Sequence, residues 1–180
     1  MVFMAFSVGV VFWTFLEYLL HRFLGHVHKG KNFFKTEHLQ HHAKVHYFAP
    51  ASKKFFAALI VLSLLLFFLS IITTLYTAIA FCIGLFSMYA LYETTHFRFH
   101  KTNPIAKPFI VLRKHHFYHH FQNPKMNFGV TTRFWDRVFG TYREVEKVYV
   151  PEKMTMNWLM SNNTIKAIYQ PHFELLHKRS

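Results

Sequence analysis

Of the 15 histidines in this chain, 13 fall in two windows, residues 21–46 and 96–120. The first window reads EYLLHRFLGH and then HLQHH, which gives His21, His26, His38, His41 and His42. The second reads YETTHFRFH and then HFYHH, which gives His96, His100, His116, His119 and His120. One grammar is therefore used twice, a spaced pair followed by HxxHH. A neutral imidazole offers a nitrogen lone pair to a metal ion, and it suits iron, zinc, copper and nickel alike. On a helix, HxxHH gathers three rings within an arc of about 100°. Its first and last histidines can then serve one ion and its middle one another. His96 and His100, four apart, share a helix face. His21 and His26 lie about 140° apart on a regular helix, so they meet at a frayed or bent helix end or serve different ions. A tetrahedral zinc site takes four protein ligands and a catalytic one usually three. Ten candidates exceed the needs of one ion and suit two, at up to five each.

Other titratable residues fall outside that register. His28, His46, His115, His172 and His177 read as polar residues at a membrane surface, with His46 and His115 also open to a supporting role behind ligands. Glu17 and Glu93 precede the first histidine of each half by four and three residues. A carboxylate near lipid is costly unless paired. Each either accepts the free N–H of a ligand imidazole, which would fix the tautomer, or forms an interfacial salt bridge, for example with Arg22 or Arg98. A histidine tract for metal storage would show runs without spacing; here the spacing is regular.

The elements that must position these residues are apolar. Residues 55–92 run for 38 positions without Asp, Glu, Lys or Arg, and residues 1–20 carry only Glu17. The chain is 52% hydrophobic with 23 Phe, and these stretches lack the wet face of a soluble amphipathic helix. Lipid is their solvent. The long run is too long for one crossing and right for two, since about 18 residues span roughly 27 Å. A break near Ser70–Thr74 predicts a hairpin of helices 55–69 and 75–92. With residues 1–20 this makes three crossings, an all-α integral membrane bundle with a histidine-bearing helical cap. The N-terminal stretch lacks the basic start and small-residue cleavage site of a signal peptide.

All 21 Lys and Arg fall within residues 22–54 or 98–179, and seven of them lie between Arg22 and Lys54. By the positive-inside rule both segments face the cytoplasm and the N-terminus starts on the other side. The net charge of +13 is thus a topology signal, and nucleic acid is not expected as a partner. Pro50, Pro104, Pro108, Pro124 and Pro151 punctuate only these outer parts. Cys82, the single cysteine, sits in the apolar run and makes no CxxC site; it reads as a small packing residue. The expected organisation is a membrane-embedded unit over 1–142 and a peripheral tail over 143–180, to which no role is assigned.

HRFLGH, HLQHH, HFRFH and HFYHH, followed by FGVTTRFWDRVFGT at 128–141, resemble the fatty acid hydroxylase / sterol desaturase superfamily over roughly residues 13–142. EYLLHR and the short length look most like its fatty acid 2-hydroxylase branch. The resemblance implies an O2-dependent, membrane-embedded di-iron monooxygenase of lipid biosynthesis. Its ligands would be His21, His26, His38, His41, His42, His96, His100, His116, His119 and His120. Trp135–Asp136 would be structural, closing the cap. It also implies two Fe as cofactor, with zinc able to substitute on purification. Relatives often carry a fused haem domain, which does not fit here, and often four crossings, where three are counted.

The implied partners are a lipid or acyl-chain substrate, the membrane, and an external electron donor, ferredoxin-like or a b-type cytochrome with its reductase. The basic face would steer an acidic donor. The implied location is a bacterial inner membrane or endoplasmic reticulum, with the site on the cytoplasmic side. Lipid hydroxylase is the leading expectation. A sterol desaturase, carotenoid hydroxylase or ether-lipid oxygenase of the same superfamily stands as the alternative. A metal-handling membrane protein is disfavoured, because a transporter should place ionisable residues inside its crossings, and 55–92 has none.

Overall fold

The structure, a computed structural model, describes residues 1–102 and 106–176; Pro104 and His177 lie outside the described residues. Three helices are long and apolar enough to cross a membrane. α1 (Val2–Leu19) continues into a π-helix (Leu20–Val27), and α3 (Ala51–Ile72) and α4 (Leu75–Lys101) form the hairpin. Between them α2 (Phe33–Ala43) lies outside the crossings. α5 (Lys107–Phe121), the short α6 (Phe134–Val138) and four short strands follow α4.

The hairpin turns at Thr73–Thr74, where the Thr74 side chain caps α4 by accepting from Thr77 N. Both of its helices are longer than expected. α4 has 27 residues, about 40 Å of rise, whereas hydrocarbon needs only about 30 Å. Its last turns, which carry His96 and His100, are therefore more than a crossing needs. α3 has no buried residue, which fits a helix of this hydropathy surrounded by lipid. α1 and α4 instead pack backbone to backbone. A Cβ on Gly9 would come within 2.2 Å of Phe81 O, and one on Gly84 within 2.1 Å of Phe6 O. Small residues at such a crossing are the usual basis of close packing in lipid, and Trp13 fills the next level against Tyr89, with rings 4.8 Å apart.

Outside the lipid the chain builds a second core. Phe117 of α5 and Val45 pack with Val148, Val150, Met156, Trp158, Leu159, Ile165, Tyr169 and Phe173. β1 (Val148–Pro151) pairs in parallel with β4 (Phe173–Leu176), Val148 opposite Phe173. β2 (Met160–Ser161) and β3 (Thr164–Ile165) form a small antiparallel pair. The described chain is mostly helical, and this segment is where strands occur.

Candidate metal centre

Four helical segments converge at one end of the bundle. The ten histidines singled out by spacing form two groups, each with candidate ligand nitrogens within 4.8 Å of one another. One group holds His21, His26, His38, His42 and His119; the other holds His41, His96, His100, His116 and His120. Each HxxHH helix divides between them. α2 gives its first and last histidines to the first group and His41 to the second, and α5 does the reverse, with His119 as its odd member. The groups are neighbours, for the His42 and His120 rings stack at 4.1 Å with 8° between planes.

The question left open for His21 and His26 is answered by the π-helix. Its i→i+5 hydrogen bonding brings residues five apart onto one face, so both rings enter the same group. α2 is started by Asn32, whose side chain accepts from Lys35 N at 2.8 Å, and this sets the phase of HLQHH.

The outer ring nitrogens show what the inner ones can do. His21 Nδ1–H donates to Phe128 O at 2.5 Å and His119 Nδ1–H to Met126 O at 2.8 Å. A carbonyl only accepts, so each neutral ring carries its proton on Nδ1 and a bare lone pair on Nε2. Yet His21 Nε2 and His119 Nε2 are 2.9 Å apart. His26 Nε2 and His42 Nε2 lie 3.0 and 3.1 Å from His119 Nε2. Lone pairs held this close repel unless a cation lies between them. Ligands about 2.1 Å from one ion and at right angles are themselves about 3.0 Å apart.

The second group repeats the pattern. His41 Nδ1–H donates to Tyr47 O at 2.6 Å, while its Nε2 is 2.9 Å from His96 Nε2. His100 Nε2 and His116 Nε2 are 2.8 Å apart. His120 has both ring nitrogens buried without a hydrogen-bond partner among the described residues. Such orphaned acceptors are costly in a protein interior, and a metal ion would satisfy them. The residues present therefore fit two ions.

A proton is a poor substitute for the metal. Burial, joined by neighbouring imidazoles, holds His38, His116, His119 and His120 well below the usual histidine range. Burial also takes His41 down to about 4 and His42 to about 2. Neutral imidazole is the form that binds metal.

The carboxylate–imidazole contacts expected of Glu17 and Glu93 are not made among the described residues, and neither are ion pairs with Arg22 or Arg98. Glu17 is buried and accepts from Val130 N at 2.5 Å, Thr131 N at 3.0 Å and the Thr131 hydroxyl. It ties the 128–131 loop to α1, because three donors there outcompete any ring N–H. Glu93 pairs with Lys54 at the start of α3.

The carboxylate that does support the site is Asp136. It is fully buried and accepts from Phe128 N (2.9 Å), Gly129 N (2.8 Å), the Thr141 hydroxyl (2.8 Å) and His115 Nε2 (2.9 Å). Burial pushes its carboxyl up, but the His115 bond and these donors outweigh that and leave it below the ordinary value. By gripping Phe128 N and Gly129 N, Asp136 holds the carbonyl that orients His21. His115 is thus buried and takes the supporting role left open for it, not the surface one. Its spacing, four before His119 on α5, was the available signal.

His46 and His28 are exposed, and His172 is half-buried away from both groups. Sequence reasoning also missed Arg113 and Trp158. Arg113, fully buried, donates to Arg98 O at 2.7 Å and Thr102 O at 2.5 Å and lies 3.7 Å over the Trp158 ring. Trp158 Nε1 donates to His100 O at 3.0 Å. Together they hold the end of α4 that presents His96 and His100.

Three membrane-length helices that carry two facing five-histidine groups at one end define a membrane protein with two neighbouring groups that could each hold a metal ion. Residues 6–141 match the model of the fatty acid hydroxylase family, and the chain belongs to that family. It is 35% identical over 144 residues to the dihydroceramide fatty acyl 2-hydroxylase FAH2 of Arabidopsis thaliana, covering 75% of this chain and 59% of that one. It is 38% identical over 148 residues to the ceramide very long chain fatty acid hydroxylase SCS7 of Saccharomyces cerevisiae, covering 76% and 37%. A solved structure of full-length scs7p, with only the hydroxylase domain visible, superposes with a TM-score of 0.64 at 31% identity, covering 79% of this chain and 56% of that one. The chain thus spans less than two thirds of these relatives.

Proposed function

We propose that this protein is an O2-dependent lipid hydroxylase that places a hydroxyl group on an acyl chain, in the manner its relatives' names describe. The ten histidines would hold two irons. The observation that carries the proposal is the pair of Nε2 lone pairs on His21 and His119, 2.9 Å apart with both ring protons committed to backbone carbonyls. Bound iron would supply O2 activation and the oxidising power to break an unactivated C–H bond, which side chains lack. The net change is R–H plus O2, two electrons and two protons to R–OH plus water. An external donor, ferredoxin-like or a b-type cytochrome with its reductase, would provide the electrons.

The chain's own residues bind, orient and exclude water. Phe128 and Met126 carbonyls keep the ring protons of His21 and His119 on the outer nitrogen, and Tyr47 O does so for His41. Phe128 packs against His21, His26 and His119, with centroids 5.2–5.8 Å away. Phe48 packs likewise against His41, His96 and His100 at 4.9–5.6 Å. These rings shield one side of each group from water, which would strengthen ligand–ion attraction and limit side reactions. Because α4 carries its histidines on turns beyond those a crossing needs, an acyl chain rising from the bilayer would reach the centre. The basic residues around this end support a cytoplasmic location for it.

The test is lipid mass spectrometry of cells with the gene, without it, and with His119→Ala. The expected result is a gain of one oxygen on acyl chains with the wild-type gene alone. A loss of two hydrogens would assign a desaturase instead, and unchanged lipids would refute both. Zinc in the purified protein would not, because zinc binds nitrogen sites more tightly than ferrous iron.

A further inference from the structure

Between α5 and α6 lies an open surface depression of about 310 Å3 lined by Val111, Thr131, Thr132, Arg133, Phe134 and Arg137. Both guanidinium groups face one ring: Arg133 is 5.7 Å and Arg137 4.7 Å from the Tyr142 centroid, and Arg133 Nη1 donates to Tyr142 Oη at 3.2 Å. Among the described residues neither has a carboxylate partner. Asp136, on the same short helix, is turned inward and engaged by four donors. Both arginines line this space, so an anion held in it would face two positive charges.

Across the Phe134–Trp135 ring pair (4.9 Å) a second groove, of about 370 Å3, is walled by Met4, Val8, Val11, Phe12, Phe15 and Trp135. The α1 residues recur at helical spacing on one face and extend about 16 Å along the axis. Met4, Val8 and Val11 are each more than half exposed, so this face meets lipid. Trp135 Nε1 donates to Thr14 Oγ1 at 2.9 Å, which fixes α6 about 8 Å from the end of α1. That depth, with exposed Phe134, Val138 and Phe139 beside two arginines, is the setting of a membrane interface. No wall residue contributes to the histidine groups.

We propose that α1 and α6 together hold one anionic phospholipid, its phosphate between Arg133 and Arg137 and one acyl chain in the α1 groove. The charge belongs to the headgroup and the adjoining apolar groove to the tail, so the depression and the groove form one site. This reading stands independently of the hydroxylase activity.

The full chain is reconstituted in mixed phosphatidylcholine–phosphatidylglycerol vesicles and gently solubilised. The retained lipid is then quantified by mass spectrometry. Phosphatidylglycerol should be enriched over the bulk ratio. Arg137→Gln should lower the enrichment about fivefold, and Arg133→Gln with Arg137→Gln about 25-fold. Lys125→Gln, an exposed basic residue elsewhere, should leave it unchanged. Val8→Trp, which fills the groove and spares the charges, should lower retention as well. Metal content reports that each variant is folded. Equal enrichment in the double arginine variant would overturn the proposal, and so would unchanged retention in Val8→Trp. Displacement of the lipid by an equal concentration of inorganic phosphate would assign the pocket to the free ion and overturn the lipid assignment.

Discussion

The two histidine groups are made from the same motifs yet are supported differently. In the first, His26, His38 and His42 are partly exposed, and only His21 and His119 are fully buried. Its outer bonds run to carbonyls of the 126–128 loop, held by Asp136 and His115. In the second, His41, His100 and His116 are buried. Its support comes from Tyr47, from Arg113 and from Trp158 in the extramembrane core. One group is braced by a loop clamped to a membrane helix, the other by a folded segment packed on α5. Equal ligand number therefore does not mean equal access or equal stiffness.

The largest effect should come from the inner histidines. His119→Ala removes the nitrogen nearest to three others and should abolish lipid oxidation and the metal of the first group. His41→Ala should do the same for the second. Product mass spectrometry and metal analysis check both, and full activity in either variant would break the account.

Supporting residues should separate the groups by smaller amounts. Asp136→Asn leaves the ligands in place but weakens the hold on Phe128, and loss of such outer partners typically costs about 10–100-fold in metal affinity. Titration with a competing chelator should show that loss for one ion per chain, the first group's. Trp158→Phe, which removes the bond to His100 O, should affect the other ion. The same loss for both ions in each variant would erase the distinction.

In the unmutated protein a chelator should extract metal in two phases. The partly exposed first group should empty faster, as followed by metal released over time. A single phase would show that exposure does not govern access.

The mildest effect concerns pH in the metal-free chain. Burial holds His41 down to about 4 in the fold, whereas unfolded histidines take up protons below about 6.5. The unfolded state then binds more protons, so stability falls as pH drops from about 6.5 towards 4. Denaturant midpoints across that range should decline for wild type, and less steeply for His41→Phe.

How much of this was legible in the sequence follows from what carries the information. HxxHH fixes a helical phase, so the division of α2 and α5 between two groups could be read from spacing. The crossings could be read because lipid demands unbroken apolar runs. The π-helix could not, since i→i+5 bonding over Leu20–Val27 leaves no residue signature beyond the awkward spacing of His21 and His26. Nor could the carbonyls of Tyr47, Met126 and Phe128, because a backbone oxygen has no side-chain identity. Sequence proximity left Glu17 and Glu93 open to either an imidazole or an interfacial ion pair. The fold offered Glu17 two backbone N–H groups and a hydroxyl, and Glu93 a lysine. The packing of 143–176 depends on β1 meeting β4 more than twenty residues later, a long-range pairing that local pattern does not encode.

The most direct test is metal stoichiometry. The full chain, loaded anaerobically with ferrous iron and freed of excess, should hold two ions by elemental analysis, and His119→Ala one. A wild-type value of one or none would contradict the claim that these ten imidazoles form two metal sites.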